Sequence, residues 1–213
     1  MPADILPATR PRRRTPAPTA TGSKTGADRF RWFLHGFGTL LAGDPDEPVI
    51  LAQGGSLLSR LVAVDDWLPA AFSVPDPQCY RQYLLYCENR ERFSVVAFVW
   101  GPGQHTPVHN HTVWGLVGML RGAEMTQAYK KAGVRLRPFG APERLVPGQV
   151  TAVSPTVGDL HRVANAYDDG PSVSIHVYGG NIGRIRRTAY DEQGRPTRFV
   201  SGYSNDTLPN PWR

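Results

Sequence analysis

The sequence predicts an all-β core, with antiparallel hairpins rolled into a sandwich or small barrel, behind an N-terminal helical region. Three observations carry this expectation. Glycine (22) and proline (20) make almost a fifth of the 213 residues, a density that favours short strands and turns over long helices. The hydrophobic period is helical early in the chain and then gives way to strand-length runs. Those runs recur too closely for helices to fit between them. A single domain suits this length, so the chain divides into a tail over 1–28 and one domain over 29–213, mainly helical over 29–75 and a barrel over 80–205.

The tail explains most of the charge. The chain carries a net +6, and Arg10, Arg12, Arg13, Arg14 and Lys24 stand against Asp4 alone in its first 26 residues. The stretch "PATRPRRRTPAPTATGSKTG" is rich in Pro, Thr and Ala and has no hydrophobic period, so it cannot bury enough surface to offset the entropy of ordering. A disordered tail is therefore expected, with no nucleic-acid partner, because the rest of the chain is nearly neutral. No apolar run approaches the ~18 residues of a spanning helix, and no secretory signal opens the chain. A cytoplasmic protein away from the membrane is expected, as a monomer or weak homo-oligomer. Cys79 and Cys87 are too few for a disulfide framework and are read as reduced thiols.

The elements follow in order. In "RFRWFLHGFGTLLA", Phe30, Leu34, Phe37 and Leu41 recur at intervals of four and three, one face of a helix. A second helix is expected over 47–64, interrupted by "QGG", and a short third before Pro75. Then come "RFSVVAFVWG", "VWGLVGMLRG", "EMTQAYK", "GQVTAVSP", "SVSIHVYGG" and "TRFVSGY", rich in Val, Thr and aromatics and punctuated by Gly or Pro. The mouth or interior of such a barrel is a usual place for a small-molecule site.

Three of the six histidines fall in "HTPVHNH". His109 and His111, at i and i+2 of an extended segment, point to the same face. Two imidazoles on one face suit a divalent metal, with His161 in "VGDLHRVAN" as third ligand and further coordination positions left open. An HxH pair alone is equally compatible with hydrogen-bonded core or surface histidines. His105 and His35 are read as such residues, and Trp114 as a core residue.

The flanking spacing resembles a known family. Gly103, His109, Asn110, His111, Gly115 and Gly122 match the first cupin motif in every interval. Gly148, Pro155, Gly158, His161 and Asn165 resemble the second, with one extra residue before the proline and one after. The resemblance implies a cupin-type double-stranded β-helix, a jelly-roll barrel, with metal bound by His109, His111 and His161. Many cupins place a glutamate ligand where this chain has Gly115. The remaining three imidazoles are neutral, so a bound divalent ion would keep its full attraction for an anionic ligand such as a thiolate.

Three-histidine iron in a cupin is what thiol dioxygenases use, and residues 80–187 resemble that family, cysteine dioxygenase and its bacterial relatives. Ser174, His176 and Tyr178 sit at i, i+2 and i+4 of one strand. By themselves they could be a polar face turned to solvent. The resemblance makes them a hydroxyl–imidazole–phenol series whose phenol reaches towards the iron. Animal cysteine dioxygenases carry at the Gly115 position a cysteine that crosslinks to the active-site tyrosine, which this chain cannot do.

Substrate choice also follows from the resemblance. Cysteine-specific members hold the substrate carboxylate with an arginine in a Tyr-x-Arg-x-Leu context. The corresponding stretch here, "YRQYLLY", has Gln82 instead, as in the 3-mercaptopropionate dioxygenase subgroup. There a second arginine after "YGGNIG" takes the carboxylate, a place occupied here by Arg187, with Arg184 and Arg186 as surface charges. The resemblance thus implies an Fe(2+) enzyme acting on a small thiol carboxylic acid and O2. The alternatives are cysteine or mercaptosuccinate as substrate, a cupin isomerase or decarboxylase, and a non-catalytic metal sensor.

Overall fold

The computed structural model describes residues 25–209. Helix α1 spans Gly26–Ala42 and starts on a capping box, in which the Thr25 side chain accepts from the Asp28 backbone N–H and Asp28 accepts from Thr25 N. The tail expected over 1–28 therefore ends earlier, since Gly26 to Asp28 are helical. Its remainder lies outside the described residues. After α2 (Glu47–Val49) the chain runs through a π-helical turn at Ile50–Gly54 into α3 (Gly55–Val62). The "QGG" expected to interrupt this helix instead widens it by one turn. A Cβ on Gly54 would lie 2.9 Å from the Phe37 ring and 3.0 Å from Leu116, so the bare backbone lets the helix sit close. The short third helix is a 3-10 turn at Ala70–Phe72.

Eleven strands follow: β1 (Arg81–Cys87), β2 (Ser94–Trp100), β3 (Val108–His109), β4 (Gly115–Arg121), β5 (Glu124–Ala132), β6 (Arg135–Leu145), β7 (Val150–Val153), β8 (His161–Asn165), β9 (Ser172–Tyr178), β10 (Arg187–Tyr190) and β11 (Pro196–Phe199). They form one sheet in the order β1-β2-β9-β4-β7 and another in the order β11-β10-β3-β8-β5-β6. This is the cupin-type jelly roll.

The central strands β2, β9 and β4 of the five-stranded sheet are buried on both faces, which is why "SVVAFVW" reads as an unbroken apolar run. On its outer face Val95, Ala97, Val99, Leu116, Leu120, Val173, Ile175 and Val177 pack against Phe30, Phe33, Phe37, Leu58 and Leu61 of the helices. Each of these side chains larger than alanine contributes about 1.5–3 kcal/mol when fully buried. The alternate residues, among them Val96, Phe98, Trp100 and Tyr178, face the barrel interior. The site is built there. Among the described residues no helix is long and apolar enough to cross a membrane. Cys79 is exposed, Cys87 is half-buried, and neither forms a disulfide.

Candidate functional site

His109 ends β3, His161 opens β8, and the two are direct register partners. His111 follows β3 in the loop before β4. The three imidazoles offer nitrogens that all lie within 4.8 Å of one another, with ring centroids 4.8 to 4.9 Å apart. Strand alternation does not place His111, because β3 is only two residues long.

A carboxylate places it instead. Asp159 Oδ1 accepts from the His111 backbone N–H (2.7 Å) and from its ring Nδ1 (3.0 Å), while Oδ2 accepts from the Thr112 N–H (3.0 Å). These bonds hold Thr112 at φ 64°, unusual for a β-branched residue. Gly158, at φ +135°, allows the turn that delivers both Asp159 and His161.

The tautomers follow. His109 Nδ1 faces the Pro107 carbonyl at 3.1 Å and His111 Nδ1 faces Asp159, so each Nδ1 donates and each Nε2 keeps a free lone pair. His161 Nδ1 is buried without a hydrogen-bond partner among the described residues. Burial pushes the His109 ring down to about 4, and it holds His111 and His161 well below the ordinary histidine range, with their neighbouring imidazoles adding to the effect. All three are neutral donors at neutral pH. Such a set fits a divalent transition-metal ion.

Beside it runs the polar face of β9. His176 Nδ1 meets the Tyr178 hydroxyl at 2.8 Å and His176 Nε2 meets Ser174 Oγ at 2.9 Å. All three residues are buried, so the strand's polar face does not meet solvent. The Tyr178 ring stacks on His111 at 5.5 Å, and the His176 ring on Phe98 at 4.1 Å. Desolvation drives the Tyr178 hydroxyl upward and the His176 ring down to about 3, leaving both neutral.

Gly115 explains how the phenol fits. It pairs directly with Tyr178 across β4 and β9, and a Cβ there would lie 2.9 Å from Tyr178 Cδ1 and 3.0 Å from Val153 Cγ2. The tyrosine ring fills the space in which a side chain at 115 would stand. Trp114 turns outward to Phe37 in the helical core (5.9 Å).

A cavity of about 160 Å³ opens beside His109, lined by Tyr80, Gln82, Phe98, Arg187 and Phe199 among others. Arg187 opens β10, whose Ala189 pairs with His109. Asn110, between the first two histidines, accepts from the Thr188 N–H (2.8 Å) and donates its own N–H to the Thr188 carbonyl (3.1 Å). The residue between the two histidines thus anchors the strand that carries the arginine.

Arg187 is 4% exposed. One terminal nitrogen donates to Ser201 Oγ (2.7 Å) and the guanidinium lies over the Phe199 ring (4.7 Å), but Nε has no partner among the described residues. Desolvation lowers its proton affinity. No carboxylate within salt-bridge distance pairs with it among the described residues, so the cavity carries a buried positive charge. Gln82 adds an uncharged amide to the same wall. Arg81, one residue earlier, pairs with Asp76, Arg184 is exposed and reaches Glu91 (3.3 Å), and Arg186 is exposed. His35 and His105 are likewise exposed.

Two carboxylates of this region escape sequence reasoning. Asp159 stands two residues before His161, and that proximity was its only signal. Glu124, the first residue of β5, hydrogen-bonds Ser174 Oγ and is fully buried. Nothing in the alternation of "EMTQAYK" marks it.

The family model described as cysteine dioxygenase type I matches residues 61–193. Cysteine dioxygenase type 1 of Danio rerio is 24% identical over 159 residues, covering 66% of this chain and 77% of that protein. Among solved structures, a conserved protein with a double-stranded β-helix domain from Klebsiella pneumoniae is 19% identical at a TM-score of 0.42, over 53% of this chain and 88% of that one. A cupin superfamily protein from Desulfitobacterium hafniense is 16% identical at a TM-score of 0.40, over 55% and 94%.

Proposed function

The chain belongs to the cysteine dioxygenase type I family, and from that premise we propose that it is an Fe(II)-dependent thiol dioxygenase of small mercapto acids, with 3-mercaptopropionate as preferred substrate. The observation that carries the substrate choice is Arg187, a buried guanidinium with an unpartnered Nε in the cavity that also touches His109. A carboxylate on the substrate would supply the missing partner with charge-assisted bonds. Gln82 stands where cysteine-specific members carry an arginine, and an amide makes no bidentate ionic fork.

His109, His111 and His161 would hold the iron, which when bound offers open positions for a thiolate and O2. The chain's own part is positional. Arg187 orients the carboxylate end of the substrate, Tyr80, Phe98 and Phe199 exclude water from the cavity, and Tyr178 sets a hydroxyl at the sulfur end with His176 fixing its direction. The thiol gives up its proton, and both oxygen atoms of O2 end on sulfur as a sulfinate.

The test is an oxygen-electrode assay on iron-loaded protein with 3-mercaptopropionate, cysteine and mercaptosuccinate, with product identification. About one O2 consumed per thiol and one sulfinate formed are expected, with the highest kcat/KM for 3-mercaptopropionate. Failure to form sulfinate from any of the three would overturn the reading. Higher kcat/KM for cysteine would overturn the substrate choice alone. Tyr178→Phe should slow turnover while iron stays bound.

A further inference from the structure

The hydrogen-bonded series on β9 does not end at Ser174. Glu124 opens β5 in the six-stranded sheet, and its Oε1 hydrogen-bonds Ser174 Oγ of the five-stranded sheet, so the contact crosses the barrel interior. The Trp100 indole N–H lies 3.3 Å from the same Oγ. Glu124 Oε2 is buried with no partner among the described residues. The complete series is therefore Glu124, Ser174, His176 and Tyr178.

Its donors can be counted. A serine hydroxyl, a neutral imidazole and a phenol each bring one hydrogen, and an ionised carboxylate brings none. With Glu124 ionised, Ser174 must donate to it. His176 Nε2–H then donates to Ser174, His176 Nδ1 accepts, and Tyr178 O–H points at His176. With Glu124 protonated, its O–H donates to Ser174 and every bond reverses. Ser174 then donates to His176 Nε2, His176 Nδ1–H donates to the phenol oxygen, and the Tyr178 hydrogen is released to the cavity beside His111.

We propose that Glu124 is the positioning residue that sets the polarity of this series, so that its protonation exchanges the tautomer of His176 and turns the Tyr178 hydroxyl from acceptor to donor on the metal side. The surroundings favour both states at neutral pH. Burial pushes the Glu124 carboxyl up to about 7, against the lowering effect of its bond with Ser174 and of the nearby Trp100 indole N–H. The strands packed on it bring no charge to bear. β2 presents Trp100 and β9 presents Ser174 with neutral His176 and Tyr178 behind it. β8 and β6 place Asn165 and Leu145 opposite it in register, and Arg144 turns to Tyr167. Burial keeps His176 uncharged down to about 3, so what changes on that ring is the tautomer and not the charge.

The consequence for turnover rests on the thiol dioxygenase reading, whereas the tautomer exchange does not. The experiment is nitrogen NMR of ¹⁵N-histidine-labelled full-length protein loaded with Zn(II), a diamagnetic probe, across about pH 5.5 to 8.5. His176 should pass from Nδ1–H to Nε2–H as pH rises, with its midpoint near that of the Glu124 carboxyl carbon in ¹³C-glutamate-labelled protein. In Glu124→Gln, which keeps the shape but does not titrate, His176 should hold one tautomer throughout. The iron-loaded variant should also lose the ionisation near neutral pH from its kcat profile.

A single His176 tautomer across the range in the unmutated protein would overturn the proposal, as would exchange that persists in Glu124→Gln. If that variant does not fold, different midpoints for the carboxyl carbon and the imidazole in the unmutated protein overturn it equally. Tautomer exchange without sulfinate formation would sink the thiol dioxygenase reading and leave this one standing. Sulfinate formation without exchange would do the reverse.

Discussion

The two sheets contribute to the site in different ways. The six-stranded sheet supplies His109, His161, Arg187 and Glu124 from the ends of four short or irregular strands. Their placement depends on loop devices, namely Asp159 gripping His111 and Thr112, and Asn110 gripping Thr188. The five-stranded sheet supplies Ser174, His176 and Tyr178 from a single strand buried along its whole length. The pleat alone aligns them, and the helices behind lock that strand from the other face. The geometry of the three imidazoles thus rests on a few polar contacts at the barrel rim, and the phenol's position on a packed core. Changes on the first side should alter metal and substrate binding, while changes on the second should alter turnover and stability together.

The sharpest break is His161→Ala. It removes one of three neutral donors, and loss of both bound iron and sulfinate formation is expected, read by metal analysis and product assay. Asp159→Ala comes next. With the carboxylate gone, His111 loses the bond that sets its tautomer and Thr112 loses the one that holds its positive φ. A fall of about 10–100-fold in metal affinity is expected, measured by competition with a chelator, with little change in melting temperature.

Arg187→Met keeps the bulk and deletes the charge. Hydrogen bonds to a charged group contribute about 1.5–3 kcal/mol, so KM for a mercapto acid should rise roughly 10- to 100-fold while kcat moves less. An equal effect on a thiol that lacks the carboxylate would mean that Arg187 holds the cavity's shape and not the substrate.

What was legible in the sequence divides along the same line. The β9 series could be read from alternation, because a regular strand carries period-2 information into space, and the grouping of His109, His111 and His161 from motif spacing. The resemblance supplied the direction in which each points. Asp159 and Glu124 were not legible. Asp159 acts between loops of neighbouring strands and Glu124 across the barrel, each on a residue about fifty positions away, and a lone carboxylate has no period. Strand β6 is not legible either, for another reason. Pro138, Gly140 and Pro142 lie within Arg135–Leu145, and its side chains are mostly exposed, so neither composition nor burial marks it. Pairing with β5 creates it, across an irregular step between Thr126 and Ala128.

The smallest change tests the contrast between the two faces of one strand. Gly115 and Gly118 both lie in β4, three residues apart, and so on opposite faces. A Cβ at 115 would press on Tyr178 at 2.9 Å, and one at 118 on Leu58 of α3 at the same 2.9 Å. Neither position has a positive φ, so alanine strains packing and not the backbone. Each substitution should cost about 1–3 kcal/mol, seen as similar falls in melting temperature. Only Gly115→Ala should lower kcat, because only there does the displaced atom belong to the phenol. Equal losses of kcat in both variants would mean that turnover follows the stability of the sheet as a whole, and the division between its two faces would fail.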